Sequence, residues 1–160
     1  SPMDYTENLA QQAKNSLKNL RNFLARLNLI KKSGAIAKET KILIKKADTG
    51  FKIAMENDFN TPEALSAIFQ LAKETEPKIW TLNKNETAAI KNLIVKNLGI
   101  FGLNLGKTDK IPAKIAKIAK ERESLRIHKQ FIQSDTLRQK IEALGYIIED
   151  TPEGPLVLKK

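Results

Sequence analysis

The chain has 160 residues, of which 41% are hydrophobic, enough for one domain or one and a fraction with a real core. Seven Gly and six Pro exclude a fibrous or largely disordered chain, and the absence of Cys beside a single His excludes an ordinary structural zinc site. The formal charge of +10 favours a polyanionic partner, although the abundance of Lys, Asn and Ile is also what AT-rich codons supply.

The sequence also bears on membranes and compartment. No apolar run is long enough to cross a bilayer, and no signal peptide pattern opens the sequence, so we expect no membrane partner. The lack of Cys fits a reducing compartment, and a cytoplasmic location is expected.

The first third predicts two long amphipathic helices. Capping-box spacing at Asp4 and Glu7 marks the start of the first helix, which we expect to end near Gly34. The second is predicted over residues 36–57, with Gly50 as a weak point at which it could break. Apolar positions repeat every three or four residues in the first helix, at Leu9, Ala13, Leu17, Leu20, Leu24 and Leu27.

The segment NDFNTPEAL, residues 57–65, is the clearest helix start in the first two thirds of the chain. With Thr61 as the N-cap, Pro62 takes the first helical position, where its missing N–H costs nothing. With Asn60 as the N-cap, Glu63 takes the capping-box position instead. Both alternatives predict a third helix. A loop of this kind could contact a ligand, but more often it only turns the chain between antiparallel helices.

A fourth helix follows after a short connection. Trp80 and Leu82 are expected to pack in that connection. The helix is predicted over residues 86–98, with Gly99 as its stop, and residues 104–109 read as a linker.

The last third predicts two helices and a hairpin. Asp109 can cap the first of these helices, with Pro112 in its first turn. Gly145 is well placed to end the second helix in the left-handed conformation. Residues 146–149 then predict a strand, and residues 155–158 can return as its antiparallel partner.

Three side chains on the second of these helices have the chemistry of base recognition. Phe131, Asp135 and Arg138 lie at i, i+4 and i+7, so they share one helix face. An aromatic ring can stack on a splayed base, a carboxylate can accept from an exocyclic amine, and a guanidinium can bind a base edge or a phosphate. By spacing alone, a core Phe and a surface Asp–Arg pair are the more frequent outcome.

The sequence offers no catalytic centre. It has no glycine-rich phosphate loop and no His–acid pair at metal-ligand spacing, so we assign neither catalytic nor metal-ligating residues. His128 stands alone in a basic neighbourhood, which favours a surface or RNA-proximal side chain over a general base.

Three segments resemble the C-terminal part of bacterial cysteinyl-tRNA synthetases. Ser1-Pro2 followed by Asp4-Tyr5 is similar to the end of that family's catalytic core. Residues 54–65, AMENDFNTPEAL, are similar to an acidic run followed by FNTPEAL. The family's tail pattern is matched by Glu121-Arg122, by residues 126–138 and by residues 145–154, which end in EDTPEG.

The resemblance implies a mainly α fold: an antiparallel helical bundle of the DALR type over residues 1–106, then a small α/β anticodon-binding domain with a C-terminal β-hairpin over residues 107–160. By position, the residues that match the family's anticodon contacts are Arg126, Phe131, Asp135, Arg138 and Asp150. Arg122 and Lys129 are further candidates for phosphate contact.

The implied function is binding rather than chemistry. The expected partners are cysteine tRNA, with its GCA anticodon, and the catalytic core of the same polypeptide, and a monomer is expected. The HIGH and KMSKS motifs are absent from these 160 residues, so ATP, zinc and cysteine would belong to the catalytic core, and no cofactor is expected here.

Two departures and two alternatives accompany the resemblance. Gln130 stands where the family has Asp, which weakens the cap of the last helix, and Val157 stands where it usually has Trp. The mycothiol-pathway cysteine ligase shares the family's core but lacks this tail. A basic helical protein-interaction module without anticodon specificity is the alternative of a different class.

Overall fold

The structure is a computed structural model that describes residues 6–105 and 110–160. These residues form two compact units, one within Ser1–Lys107 and one within Thr108–Lys160. The fold is mainly α with a C-terminal antiparallel hairpin, which confirms the predicted fold class. The first unit contains α1 Glu7–Leu27, α2 Lys38–Glu56, α3 Thr61–Thr75, a 3-10 helix Glu76–Thr81 and α4 Lys84–Ile100. The second contains α5 Ala113–Ile127, α6 Phe131–Ala143, β1 Tyr146–Thr151 and β2 Gly154–Lys159.

The core of the first unit is built from the apolar stripes of its helices. Leu20, Leu24 and Leu27 of α1 are buried, as their spacing predicted, whereas Leu9 is exposed. Burial of each large aliphatic side chain contributes about 1.5–3 kcal/mol, so these stripes dominate the stability of the unit. Further large apolar side chains that are fully buried include Ile68, Ile79, Ile90, Ile94 and Leu98.

The ends of α1 differ from those predicted. Thr6 is the N-cap, since its side chain accepts from the Leu9 amide at 3.2 Å, and Asp4 lies outside the described residues. The helix ends at Leu27 and not near Gly34, because residues 31–37 run in an irregular connection against the start of α4. A Cβ on Gly34 would come 2.9 Å from the Asn83 side chain, so this close approach requires glycine.

The structure resolves two alternatives that the sequence left open, one at Gly50 within α2 and one at the N-cap of α3. Helix α2 continues without a break through Gly50. The N-cap of α3 is Asn60, whose side chain accepts from the Glu63 amide at 3.2 Å and donates to the Glu63 carboxylate at 2.9 Å. Asp58 and Phe59 both have φ of 50°, a left-handed conformation that is uncommon for residues other than glycine, and Phe59 is exposed.

A buried carboxylate joins the starts of α2 and α4. Glu86 completes a capping box with Asn83, and it also accepts from the Thr40 hydroxyl at 2.7 Å and the Ala37 amide at 3.1 Å. Helix α4 runs to Ile100, so the predicted stop at Gly99 is wrong. Gly102, with φ of 73°, provides the left-handed residue that follows the helix.

The second unit packs α5 and α6 against the hairpin. Its core is Ile115, Ile118, Ala119, Ile141 and Ile148. Pro112 is the N-cap of α5, and the predicted cap Asp109 lies outside the described residues. Gly145 has φ of 86°, which confirms its left-handed role after α6. The strands pair antiparallel, as the sequence predicted, and the structure places Glu149 opposite Leu156. None of the helices within the described ranges is long and apolar enough to span a membrane.

Candidate nucleic-acid interface

The centre of the site is an ion pair between Arg122 of α5 and Asp150 of β1, in the second unit. The side chain of Arg122 is fully buried, and its guanidinium donates two hydrogen bonds to the Asp150 carboxylate, at 2.5 and 3.0 Å. Asp150 lies on β1 and keeps 38% of its side-chain surface exposed. The pair therefore has one end in the core and the other at the surface.

The ion pair fixes the charge of both partners. The hydrogen bonds from Arg122 lower the pKa of Asp150, against the opposing effect of burial, and the positive charges of Arg126 and Arg138 lower it further. The same hydrogen bonds raise the pKa of Arg122, and the negative charge of Asp135 contributes to that rise. At neutral pH the site therefore holds an ionised carboxylate among three guanidinium groups.

Arg126 lies one turn after Arg122 on α5, nearer the surface. Its guanidinium nitrogen Nη1 is 3.5 Å from Asp150 Oδ2, and 37% of its side-chain surface is exposed. The buried Arg122 guanidinium donates to both carboxylate oxygens of Asp150. The partly exposed Arg126 guanidinium also contacts this carboxylate, through Oδ2. The exposed edge of the pair offers both an acceptor and donors to a ligand.

The three side chains predicted on α6 all lie at the surface. Phe131 is the first residue of the helix and is 55% exposed, and Asp135 and Arg138 are exposed as well. The Phe131 ring is therefore not a core side chain, which was the more frequent alternative. Arg138 pairs with Glu142 at 3.1 Å, one turn further along. Such an exposed pair contributes only about 0.3–0.5 kcal/mol, so a ligand can displace it.

The turn between α5 and α6 places Lys129 in an uncommon conformation. The Gln130 amide donates to the Leu125 carbonyl at 2.8 Å, and the Lys129 amide donates to the Arg126 carbonyl at 2.9 Å, which is a Schellman motif. Lys129 occupies its left-handed position, with φ of 58°, where glycine is preferred. The side chain of Lys129 is exposed, and its backbone is held in this strained conformation.

The predicted site residues are thus partly brought together. Arg126 and Asp150 are in contact, and Arg138 and Asp135 are near enough to influence the pKa values of the Arg122–Asp150 pair. The Arg122 side chain is fully buried and bonded to Asp150, so the phosphate contact predicted for it stays a prediction that this buried position does not favour. Lys129 is exposed and remains a candidate for that role.

Sequence reasoning missed two features of the site. One is the inward position of Arg122, which its spacing of seven residues from the buried Ile115 could have indicated. The other is the exposure of two apolar side chains close in sequence to Phe131, namely Ile127 at the end of α5 and Ile132 in the first turn of α6. Neither side chain was singled out, because isoleucine at helical spacing normally predicts core.

The first unit also carries a basic surface. An open groove of about 510 Å³ is lined by Lys41 and Lys45 of α2 and by Lys96 of α4, above an apolar floor that includes Ile44 and Leu93. The three lysines are exposed. Asp48 also lines the groove, but its carboxylate is paired with Lys52. The groove therefore presents a net positive charge suited to a polyanion.

Within the part of the chain that the structure describes, no group of three or more His, Cys, Asp and Glu side chains could hold a metal ion. His128 Nδ1 lies 2.8 Å from the Ser124 carbonyl oxygen, so its ring is tied to α5. The described side chains of the site offer hydrogen bonding, aromatic stacking and charge.

Comparison with known proteins agrees with these features. Residues 50–106 match the model of the DALR domain. The chain is 33% identical to the cysteine–tRNA ligase of Methanosarcina mazei and 36% identical to that of Methanosarcina acetivorans, over 98% of this chain and 35% of each relative. It is 31% identical to the cysteine–tRNA ligase of Shewanella sediminis, over 100% of this chain and 35% of that protein.

The chain spans about a third of the length of the curated relatives it matches. The resemblance seen in the FNTPEAL and EDTPEG segments thus extends to whole-chain similarity. The chain is thus similar over nearly its whole length to part of several cysteine–tRNA ligases, and residues 50–106 match the DALR domain.

Proposed function

We propose that this chain binds cysteine tRNA and reads its GCA anticodon, as a non-catalytic part of a cysteine–tRNA ligase. The observation that carries the proposal is the surface of the second unit. There Phe131, Asp135 and Arg138 are exposed on α6, and the Arg126–Asp150 pair presents donors and an acceptor at the surface of the same unit. The similarity to cysteine–tRNA ligases supports the choice of RNA as the ligand.

Each residue has a role that follows from its chemistry. The exposed Phe131 ring stacks on an unstacked anticodon base, as aromatic side chains do in single-stranded RNA recognition. Asp135 and Asp150 accept from base amines, and Arg126 and Arg138 donate to base edges or phosphates. Ile127 and Ile132, which are also exposed, offer further apolar surface near the turn between α5 and α6.

A base contact and a surface ion pair of Arg138 differ in their free-energy contributions. A bidentate contact to a base edge contributes about 1–3 kcal/mol of discrimination, whereas the Arg138–Glu142 pair that it replaces contributes about 0.3–0.5 kcal/mol. We therefore expect the Arg138 guanidinium to leave Glu142 and bind the base when RNA is present. Lys129 and the lysines of the first unit add attraction that does not depend on sequence and that weakens as salt rises.

Catalysis belongs, in this proposal, to the part of the ligase that the chain does not span. ATP and zinc are needed there, and the present residues hold the tRNA while its acceptor end reacts elsewhere. We propose a monomer that acts in the cytoplasm together with that catalytic core.

Substitution of Arg138 tests the proposal at one residue. Arg138→Ala should weaken binding of a GCA anticodon hairpin by about 1–3 kcal/mol and weaken binding of base-changed hairpins less, because only the cognate base engages the guanidinium. Affinities are measured by titration of the chain with labelled hairpins.

Lys140→Ala is the matched control, since it removes one positive charge from α6 two residues away, on a different face of the helix. It should change all hairpins alike. If Arg138→Ala also weakens every hairpin equally, Arg138 does not read a base. Equal binding of all hairpins by the unsubstituted chain would favour a basic protein-interaction module instead.

A further inference from the structure

Arg122 is the largest fully buried side chain among the described residues, and it is a charged one. A buried ion pair gives little net stability, because the desolvation of the two charges offsets their attraction. An apolar residue of similar size would serve the core as well. The presence of a guanidinium there therefore calls for a role other than packing.

The geometry indicates what this role is. Arg122 donates one hydrogen bond to each oxygen of Asp150, which fixes both the position and the rotation of the carboxylate. Asp150 in turn contacts Arg126 Nη1 at 3.5 Å through Oδ2. The three side chains form a relay from the core, through β1, to a partly exposed guanidinium.

We infer that Arg122 is a positioning residue, which orients Asp150 and through it Arg126, so that the exposed edge of this pair matches one anticodon base. The inference rests on the proposed function and adds a specificity determinant to it. Asp150 then acts mainly by holding Arg126, and its remaining acceptor capacity faces the base. Arg122 itself never touches RNA.

The environment of Arg122 suits a fixed element of this kind. Its Nε atom is buried and has no hydrogen-bond partner among the described residues, so all of its protein hydrogen bonds go to Asp150. Helix α5 anchors it between the buried Ile118 and Ala119 on one side and Arg126 one turn later. Movement of Arg122 would require movement of the α5 core.

The first test needs no RNA. Arg122→Met keeps an apolar filling for the core, and the half-exposed Asp150 can return to water, so the variant should fold. Side-chain NMR of the Arg126 Nε–H group should show an ordered guanidinium in the unsubstituted chain and a mobile one in Arg122→Met. An Arg126 signal that is unchanged in the variant overturns the inference.

The second test measures discrimination, as the ratio of hairpin affinities for GCA and for single-base changes. Arg122→Met should reduce that ratio by about tenfold at one anticodon position, the size of one lost bidentate contact. Arg122→Lys, which keeps the charge but loses the two-pronged geometry, should reduce it nearly as much. Full discrimination in either variant contradicts the relay.

Two comparisons separate positioning from a structural role. Ile141→Val trims the same core without touching the ion pair, so it should lower the Tm yet leave discrimination intact. The double variant Arg122→Met/Asp150→Asn should discriminate no worse than Asp150→Asn alone, because the two residues act in series. Additive losses would overturn the relay, whereas a lack of discrimination in the unsubstituted chain would overturn the proposed function itself.

Discussion

Arg122, Arg126 and Arg138 lie on neighbouring helices, yet their surroundings give the three guanidinium groups different chemistry. Arg122 is buried and forms two hydrogen bonds with Asp150, and the partly exposed Arg126 contacts the same carboxylate. Arg138 is exposed and pairs with the partly exposed Glu142. The energy needed to free each guanidinium therefore falls from Arg122 to Arg138. Arg138 is the one best able to exchange its partner for RNA.

Lys129 gives a second residue-level prediction. At φ of 58° a glycine avoids the left-handed strain of about 1–2 kcal/mol, and about 0.5–1 kcal/mol of that gain is lost to its greater freedom in the unfolded chain. Lys129→Gly should therefore raise the Tm slightly. It should also weaken all hairpins alike and reduce the salt dependence of binding by about one phosphate contact. Thermal melts and titrations at several salt concentrations measure both effects.

Lys129→Asn is the control for this experiment, because Asn tolerates the left-handed region but carries no charge. It should reproduce the loss of affinity with a smaller gain in stability. A glycine variant that binds every hairpin as tightly as the unsubstituted chain would show that Lys129 makes no phosphate contact.

Among the elements, α2 and α4 depend on one carboxylate. Burial raises the pKa of Glu86, but hydrogen bonds from Thr40 and from the amides of Asn83 and Ala37 lower it by more, so the net shift is downward. A lowered folded-state pKa means that Glu86 stabilises the fold above its unfolded pKa of about 4.3, and that this stabilisation is lost as the pH falls through the folded value.

Glu86→Gln tests this connection between helices. At pH 7 it should lower the free energy of unfolding by about 1–3 kcal/mol, because buried donors lose a charged acceptor. At pH 3 the difference should shrink, because this pH lies below the unfolded pKa of about 4.3 and part of the stabilisation by the ionised carboxylate is then lost. Urea unfolding can be followed by the fluorescence of Trp80, the single Trp, which lies in the first unit.

Glu39→Gln is the matched control, because Glu39 is an exposed acid in the first turn of α2. Its effect should be smaller, as expected for an exposed charge near a helix N-terminus. Equal costs for the two substitutions at pH 7, or a cost of Glu86→Gln that does not change with pH, would contradict the assigned role.

The helices themselves were largely predictable from the sequence, but several of their ends were not. The apolar spacing of α1 and α2 located both elements, and Gly145 located the end of α6. The end of α1 was missed because the Gly34 segment is held by Asn83, a contact from distant sequence. The sequence does not show whether Gly99 or Gly102 ends α4, because only the φ angle tells which glycine is left-handed, and that residue is Gly102.

The candidate site likewise combines features that helical spacing predicts with contacts between residues that are distant in sequence. Helical spacing was enough to place Phe131, Asp135 and Arg138 on one helix, and the structure leaves all three exposed. The contact of Asp150 with Arg122 and Arg126 could not be derived from spacing, because it joins a strand to a helix more than 20 residues away. That these residues read anticodon bases is still a prediction.

At the scale of the chain, the charge of +10 allows two kinds of RNA binding. The groove with Lys41, Lys45 and Lys96 is suited to attract any polyanion, whereas base recognition is the role that we propose for the second unit. These contributions differ in their response to salt, since only the first is governed by counterion release. Salt dependence therefore separates them in the intact chain.

The most direct test is a titration of the 160-residue chain with the GCA hairpin and with hairpins changed at each anticodon base, at two salt concentrations. We predict that all affinities fall as salt rises, while the preference for GCA persists, because base contacts release few counterions. Equal affinity for all hairpins at both salt concentrations would contradict base reading by this chain and leave only a basic surface.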